Sequence, residues 1–112
     1  MTLREIQETQ ARFDNGHKPS FSFSDASLEG SIDALEHLIV CVVGELGEFA
    51  NVVKKIRRGE FNYGEKKGEL SEELADIFIY VVKLSNLLRT DLETEFLEKL
   101  DKNRLRFDRF KK

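Results

Sequence analysis

Four carboxylates stand where carboxylates are costly. Across the sixteen residues from Leu38 to Val53 the only acids are Glu45 and Glu48, set among Val42, Val43, Leu46, Phe49 and Val52. Further along, Glu73 and Asp76 repeat the pattern, with Asp76 set inside Leu74-Ala75-Asp76-Ile77-Phe78. Within each pair the spacing is three, so on a helix both side chains leave one side, a turn apart. An unpaired carboxylate in apolar surroundings carries a large desolvation cost. Two such pairs on two apolar helices have a common explanation: they face each other and share a cation. All-oxygen donors select a hard ion, which favours Mg²⁺, with Mn²⁺ possible, over zinc. The rival reading is a solvated face whose acids pair with lysines, as in a non-catalytic helical interaction module.

The elements that must position these acids are helices. The one proline, Pro19, leaves everything after it free for long helices. Thr2 with Glu5 has the form of a capping box for a first helix carrying Leu3, Ile6, Gln10 and Phe13. Residues 15–30 read as a loop, in which Phe21-Ser22-Phe23-Ser24 could be a short extended piece. Ser31 is an N-cap for a long second helix to about Arg58, whose apolar stripe is too wide for a surface helix. Gly59 to Gly68 reads as a glycine-bearing loop. A third helix, beginning at Ser71 or earlier, runs to Leu88. Thr90 with Glu93 offers a capping box for a fourth, carrying Leu92, Phe96, Leu97, Leu100 and Phe107. The expected fold is an all-α four-helix bundle with its site between the two central helices. Gly44 and Gly47 flank Glu45 at a cost of about 1 kcal/mol each against alanine, which close approach of a ligand or of another helix would explain.

Composition sets the outer bounds. The chain has 112 residues, 21 acidic and 18 basic side chains, one cysteine and no tryptophan. That length suits a single domain over residues 1–112: helix and loop (1–30), site-bearing helices (31–108) and a short tail (109–112). A net charge of −3 argues against a dedicated nucleic-acid binder. One cysteine makes no internal disulfide and suits a reducing, cytoplasmic setting. No apolar run is long enough to span a membrane, and residues 1–13 are too charged for a signal peptide.

Gly44-Glu45-Leu46-Gly47-Glu48-Phe49-Ala50, followed by Glu72-Glu73-Leu74-Ala75-Asp76-Ile77-Phe78-Ile79-Tyr80, resembles the Glu-x-x-Glu … Glu-x-x-Asp signature of the MazG-like all-α nucleotide pyrophosphohydrolases. Residues 98–107 resemble the Lys-x-x-x-Asn-x-x-Arg-aromatic ending of the same family. The resemblance implies a Mg²⁺-dependent enzyme that splits a nucleoside triphosphate between the α and β phosphates. It implies Glu45, Glu48, Glu73 and Asp76 as metal ligands, Tyr80 as a substrate contact, and Lys99 and Asn103 as groups reaching phosphates or sugar. Phosphoribosyl-ATP pyrophosphatase, related in fold and metal chemistry, is the enzyme alternative. A metal-bound or carboxylate-activated water would be the nucleophile, and Glu45 or Glu48 could take its proton.

Further candidates come from position. Arg106 continues the face of Lys99 and Asn103 at i+7. His37 precedes Glu45 by eight positions and shares its helical face. Gln10 is polar at an otherwise core-directed place and could read a base. Cys41 reads as a small core residue. With no tryptophan, Phe21, Phe23, Tyr63 and Tyr80 are the aromatics left to hold a base. A thin four-helix core and the wide stripe on the second helix imply a homodimer or homotetramer.

Overall fold

The computed structural model describes residues 1–17 and 28–110, and the Phe21–Ser24 segment with its two candidate aromatics lies outside them. Four α-helices follow in order: α1 (Leu3–Gly16), α2 (Ile32–Arg57), α3 (Tyr63–Leu87) and α4 (Leu92–Arg106), with a short 3-10 turn at Asp108–Phe110. No strand occurs among the described residues, so the architecture is all-α.

Local chemistry sets the helix ends. Thr2 Oγ1 accepts from Glu5 N–H while Glu5 returns a bond to Thr2 N–H, the reciprocal box at the start of α1. Ser31 caps α2 through Ala34 N–H. That helix closes at Gly59, whose φ of 84° places it in the left-handed region. Glu60 N–H then reaches back to Lys55 C=O and Gly59 N–H to Ile56 C=O.

Two expected boundaries move. The glycine-bearing stretch from Gly59 to Gly68 is mostly helix, because Asn62 caps Glu65 N–H at 2.9 Å and starts α3 at Tyr63. Gly64 and Gly68 lie inside that helix, where the cap and the packing of α3 outweigh their propensity cost. Asp91, not Thr90, caps α4. Thr90 is consumed by the end of α3: its N–H bonds Ser85 C=O while Arg89, at φ 55°, takes the left-handed position.

Long α2 and α3 lie against each other and form the frame, with α1 against α3 and α4 against α1. Ala34, Leu38, Val82 and Leu87 are the buried apolar core, joined at its edge by Leu35, Tyr80 and Leu84. Gln7 is buried too, and it ties three helices together. Its amide donates to Ser85 Oγ and Thr90 C=O, its carbonyl accepts from Leu92 N–H, and Asn86 Nδ2 bonds its backbone oxygen. Outside, Arg4 grips Asp91 at 2.6 Å, which holds that carboxyl below its ordinary range. Truncating Gln7 to Ala would orphan Thr90 C=O and Leu92 N–H, both half-buried. We expect a loss of about 2–3 kcal/mol by denaturant titration, and a much smaller one for Arg4→Ala at the exposed pair.

The chain is open for its size. Its radius of gyration is 17.2 Å, where a compact chain of this length would give about 13 Å. Val40, Val43, Leu46 and Val53 of α2, Leu74 and Phe78 of α3, and Phe96 and Leu97 of α4 are all exposed.

Candidate metal and substrate site

The α2–α3 pairing brings carboxylates together. One oxygen each of Glu45, Glu73 and Asp76 lies within 4.8 Å of the others. Glu45 and Glu73 are half-buried and Asp76 is exposed. Glu48 stays outside this trio and is solvent-exposed, yet it faces Glu73 closely enough to bear on its charge.

The electrostatics are those of crowded acids. Partial burial, then hydrogen bonding and repulsion from Glu45 and Glu48, push the Glu73 carboxyl up to about 7. Among the described residues, Glu45 Oε2 and Glu73 Oε2 are shut off from solvent with no hydrogen-bond partner. Buried polar atoms are rarely left so. A divalent cation would satisfy both orphaned oxygens, and a donor set made only of carboxylate oxygens suits a hard ion. The residues present therefore fit such an ion.

Tyr80 stands one turn past Asp76 on α3, near enough to Glu45 and Asp76 for their charges to act on it. Burial, the nearby Cys41 thiol and the charges of Glu45 and Asp76 all raise its phenol above the ordinary value. Cys41 is only half-buried rather than a core residue, and its sulfur lies 3.7 Å from His37 Nε2. His37 is exposed one turn further toward the start of α2.

The other candidates have surroundings of their own. Gln10 donates to Asp14 on its own helix at 3.0 Å, and Gln7, three residues earlier, is the glutamine that enters the core. Lys99 lines an open apolar cleft with Leu3, Phe78, Leu92, Glu95 and Phe96. Phe78 leaves α3 about 200° around from Asp76, so that cleft is on the opposite flank of the helix. Asn103 is half-buried on α4, and Arg106 lies 5.0 Å over the Phe107 ring at the helix end. Tyr63 is exposed at the start of α3. A Cβ at Gly44 or Gly47 would meet nothing within 4 Å among the described residues, so packing between those residues does not account for either glycine.

Comparison with known proteins decides the family. A model described as the MazG nucleotide pyrophosphohydrolase domain matches residues 33–109, which hold α3 and α4 entire and nearly all of α2. The chain belongs to the MazG family. It is 40% identical over 81 residues to "Gene 37 protein" of Mycobacterium phage L5, covering 70% of this chain and 71% of the relative. It is 36% identical over 75 residues to human dCTP pyrophosphatase 1, covering 63% of this chain and 44% of that one. The bovine enzyme of the same name is also 36% identical over 75 residues. This MazG chain thus matches less than half the length of the dCTP pyrophosphatases. No solved structure matches. No helix among the described residues is long and apolar enough to cross a membrane.

Proposed function

We propose that this MazG domain hydrolyses a nucleoside or deoxynucleoside triphosphate at the α–β bond, releasing monophosphate and pyrophosphate, with Mg²⁺ as cofactor and Mn²⁺ able to replace it. The observation that carries the reading is the pair of orphaned carboxylate oxygens, Glu45 Oε2 and Glu73 Oε2, within a three-acid cluster. Glu45, Glu73 and Asp76 would hold the ion, with Glu48 at the rim. When bound, the ion supplies charge neutralisation for the triphosphate and polarises the phosphorus under attack.

The chain's own groups do the rest. Glu48, exposed beside Glu73, accepts the proton of the attacking water. Tyr80 presents its phenol at the edge of the cluster, where it orients substrate. Its raised pKa keeps the hydroxyl protonated and able to donate a hydrogen bond. The names of the mammalian relatives make dCTP the first substrate to test.

Lys99 and Asn103 serve the phosphates across an interface with a second copy of the chain, in a homodimer or homotetramer. Two features support this: the cleft of Lys99 lies on the flank of α3 away from Asp76, and the apolar faces of α2, α3 and α4 are uncovered. Mixing inactive Glu73→Gln and Lys99→Ala chains would then restore part of the activity, because mixed oligomers contain one intact site. No restoration after subunit exchange would place Lys99 in its own chain's site or outside the chemistry altogether.

The test of the activity itself is pyrophosphate release across ribo- and deoxynucleoside triphosphates, damaged triphosphates and phosphoribosyl-ATP, each with Mg²⁺. Turnover of triphosphates supports the reading. Turnover of phosphoribosyl-ATP alone would replace it with the alternative enzyme, and complete inertness would leave a binding module.

A further inference from the structure

The flank of α2 turned away from the acids carries a pattern of its own. Ile39, Val43, Leu46, Ala50 and Val53 follow one another at steps of four, three, four and three, and all five are exposed. Apolar residues recurring in those steps form the seam of a helix pair, where each side chain enters a gap in the facing helix. The seam lies about a third of a turn around α2 from Glu45 and from the buried Leu38. Neither the core nor the carboxylate cluster uses it.

The charges of α2 select the helix that fits. Asp33 and Glu36 stand near its start, and Lys54, Lys55 and Arg57 near its end. Glu36 and Arg57 continue the spacing of the seam at its two ends. A parallel second copy would therefore set Glu36 on Glu36 and Arg57 on Arg57, like charge on like. An antiparallel copy brings each acidic end to a basic one. With Val43 level with Leu46 of the other copy, Ile39 meets Ala50 of the other copy. The positions beside the seam then pair Asp33 with Lys54 and Val40 with Gly47, each twice by symmetry. A Cβ at Gly47 would meet nothing within 4 Å among the described residues, and Val40 is 68% exposed. The space at that glycine thus matches a side chain that has no place in its own core. We propose that α2 is the seam of a two-fold pair, two copies of the chain packing antiparallel along Ile39–Val53. The pairing deepens the homo-oligomer reading above, uses a different face from the α3–α4 flank of Lys99, and holds whether or not the chain hydrolyses nucleotides.

Sedimentation equilibrium of the 112-residue chain, without nucleotide or metal, tests the seam. The wild type should run at a multiple of 13.0 kDa. Leu46→Lys, on the seam and outside the core, should weaken association at least tenfold while circular dichroism keeps its helix content. Asp33→Lys should weaken association about tenfold at low salt, because symmetry turns two attractive pairs repulsive at once. Lys54→Asp should do the same, and the two changes in one chain should restore the wild-type association. A monomeric wild type, or association that ignores Leu46→Lys, overturns the interface. Charge reversals that fail to rescue each other overturn the antiparallel order. Pyrophosphate release is read separately, so an inactive chain that still pairs through Leu46 would sink the proposed activity and leave the seam standing.

Discussion

Replacing Glu73 by Gln is expected to lower Mg²⁺-dependent pyrophosphate release by about 10²–10³-fold, the several kcal/mol that metal-borne charge stabilisation contributes to such a step. The same change should make the metal-free protein more resistant to heat at pH 8. These two effects run in opposite directions for one reason. Glu73 is crowded by Glu45 and Glu48 with one oxygen shut away from water, so its charge is unfavourable until a cation joins it. The amide keeps the shape and removes the charge, which relieves the empty site and ruins the filled one. Glu72, its exposed neighbour on α3, is the control, and Glu72→Gln should change neither quantity. A Glu73→Gln protein that loses both activity and stability would mean the carboxylate is structural.

The second large effect is on pH. Folding lifts the Glu73 carboxyl from its ordinary 4.5 to about 7, so between those values the folded chain holds a proton that the unfolded chain has released. Stability falls with pH wherever the native state binds the extra proton. Metal-free protein should therefore lose stability as pH rises from about 4.5 through 7, then level off. The Asp91–Arg4 pair acts the opposite way: Asp91 is held below 3.8, and its contribution is lost only as pH drops through that lower range. The Glu73 window lies above the Asp91 window. Mg²⁺ must displace the Glu73 proton, so its affinity should rise with pH through neutrality. Calorimetric titration near pH 6.5, in two buffers of different ionisation enthalpy, should show proton release on Mg²⁺ binding. Thermal unfolding with a chelator at pH 5 and pH 8 checks the stability slope, and an upward slope between them would contradict the crowded-acid picture.

The helices that bear the acids were legible because two independent signals coincide there. Long 3.6-residue periodicity marked α2 and α3, and acids at spacing three broke their apolar stretches. Boundaries were harder wherever glycine competed with a cap. Gly64 and Gly68 suggested a loop, while the decisive Asn62-x-x-Glu65 start needed only one side-chain oxygen placed on Glu65 N–H. Thr90 looked like a cap because sequence does not reveal that its N–H and C=O already serve Ser85 and Gln7.

Gln7 was missed for a related reason. Its partners, Ser85, Thr90 and Leu92, are about eighty residues away, and a glutamine satisfied by distant backbone looks like any surface glutamine. Gln10, three residues on, is the glutamine whose polarity breaks the apolar pattern of α1, yet its amide bonds only Asp14 on its own helix. For Lys99, Asn103 and Arg106 the shared helical face was readable. Which flank of α3 that face would meet depends on how α1 spaces α4 from the frame, and no local pattern encodes that.

The most direct test of the central claim is product analysis by phosphorus NMR, with dCTP and other triphosphates as substrate, in Mg²⁺ and in excess chelator. We predict equal amounts of nucleoside monophosphate and pyrophosphate in Mg²⁺ and no turnover in chelator. Diphosphate with orthophosphate as products, or undiminished turnover without divalent cation, would contradict it.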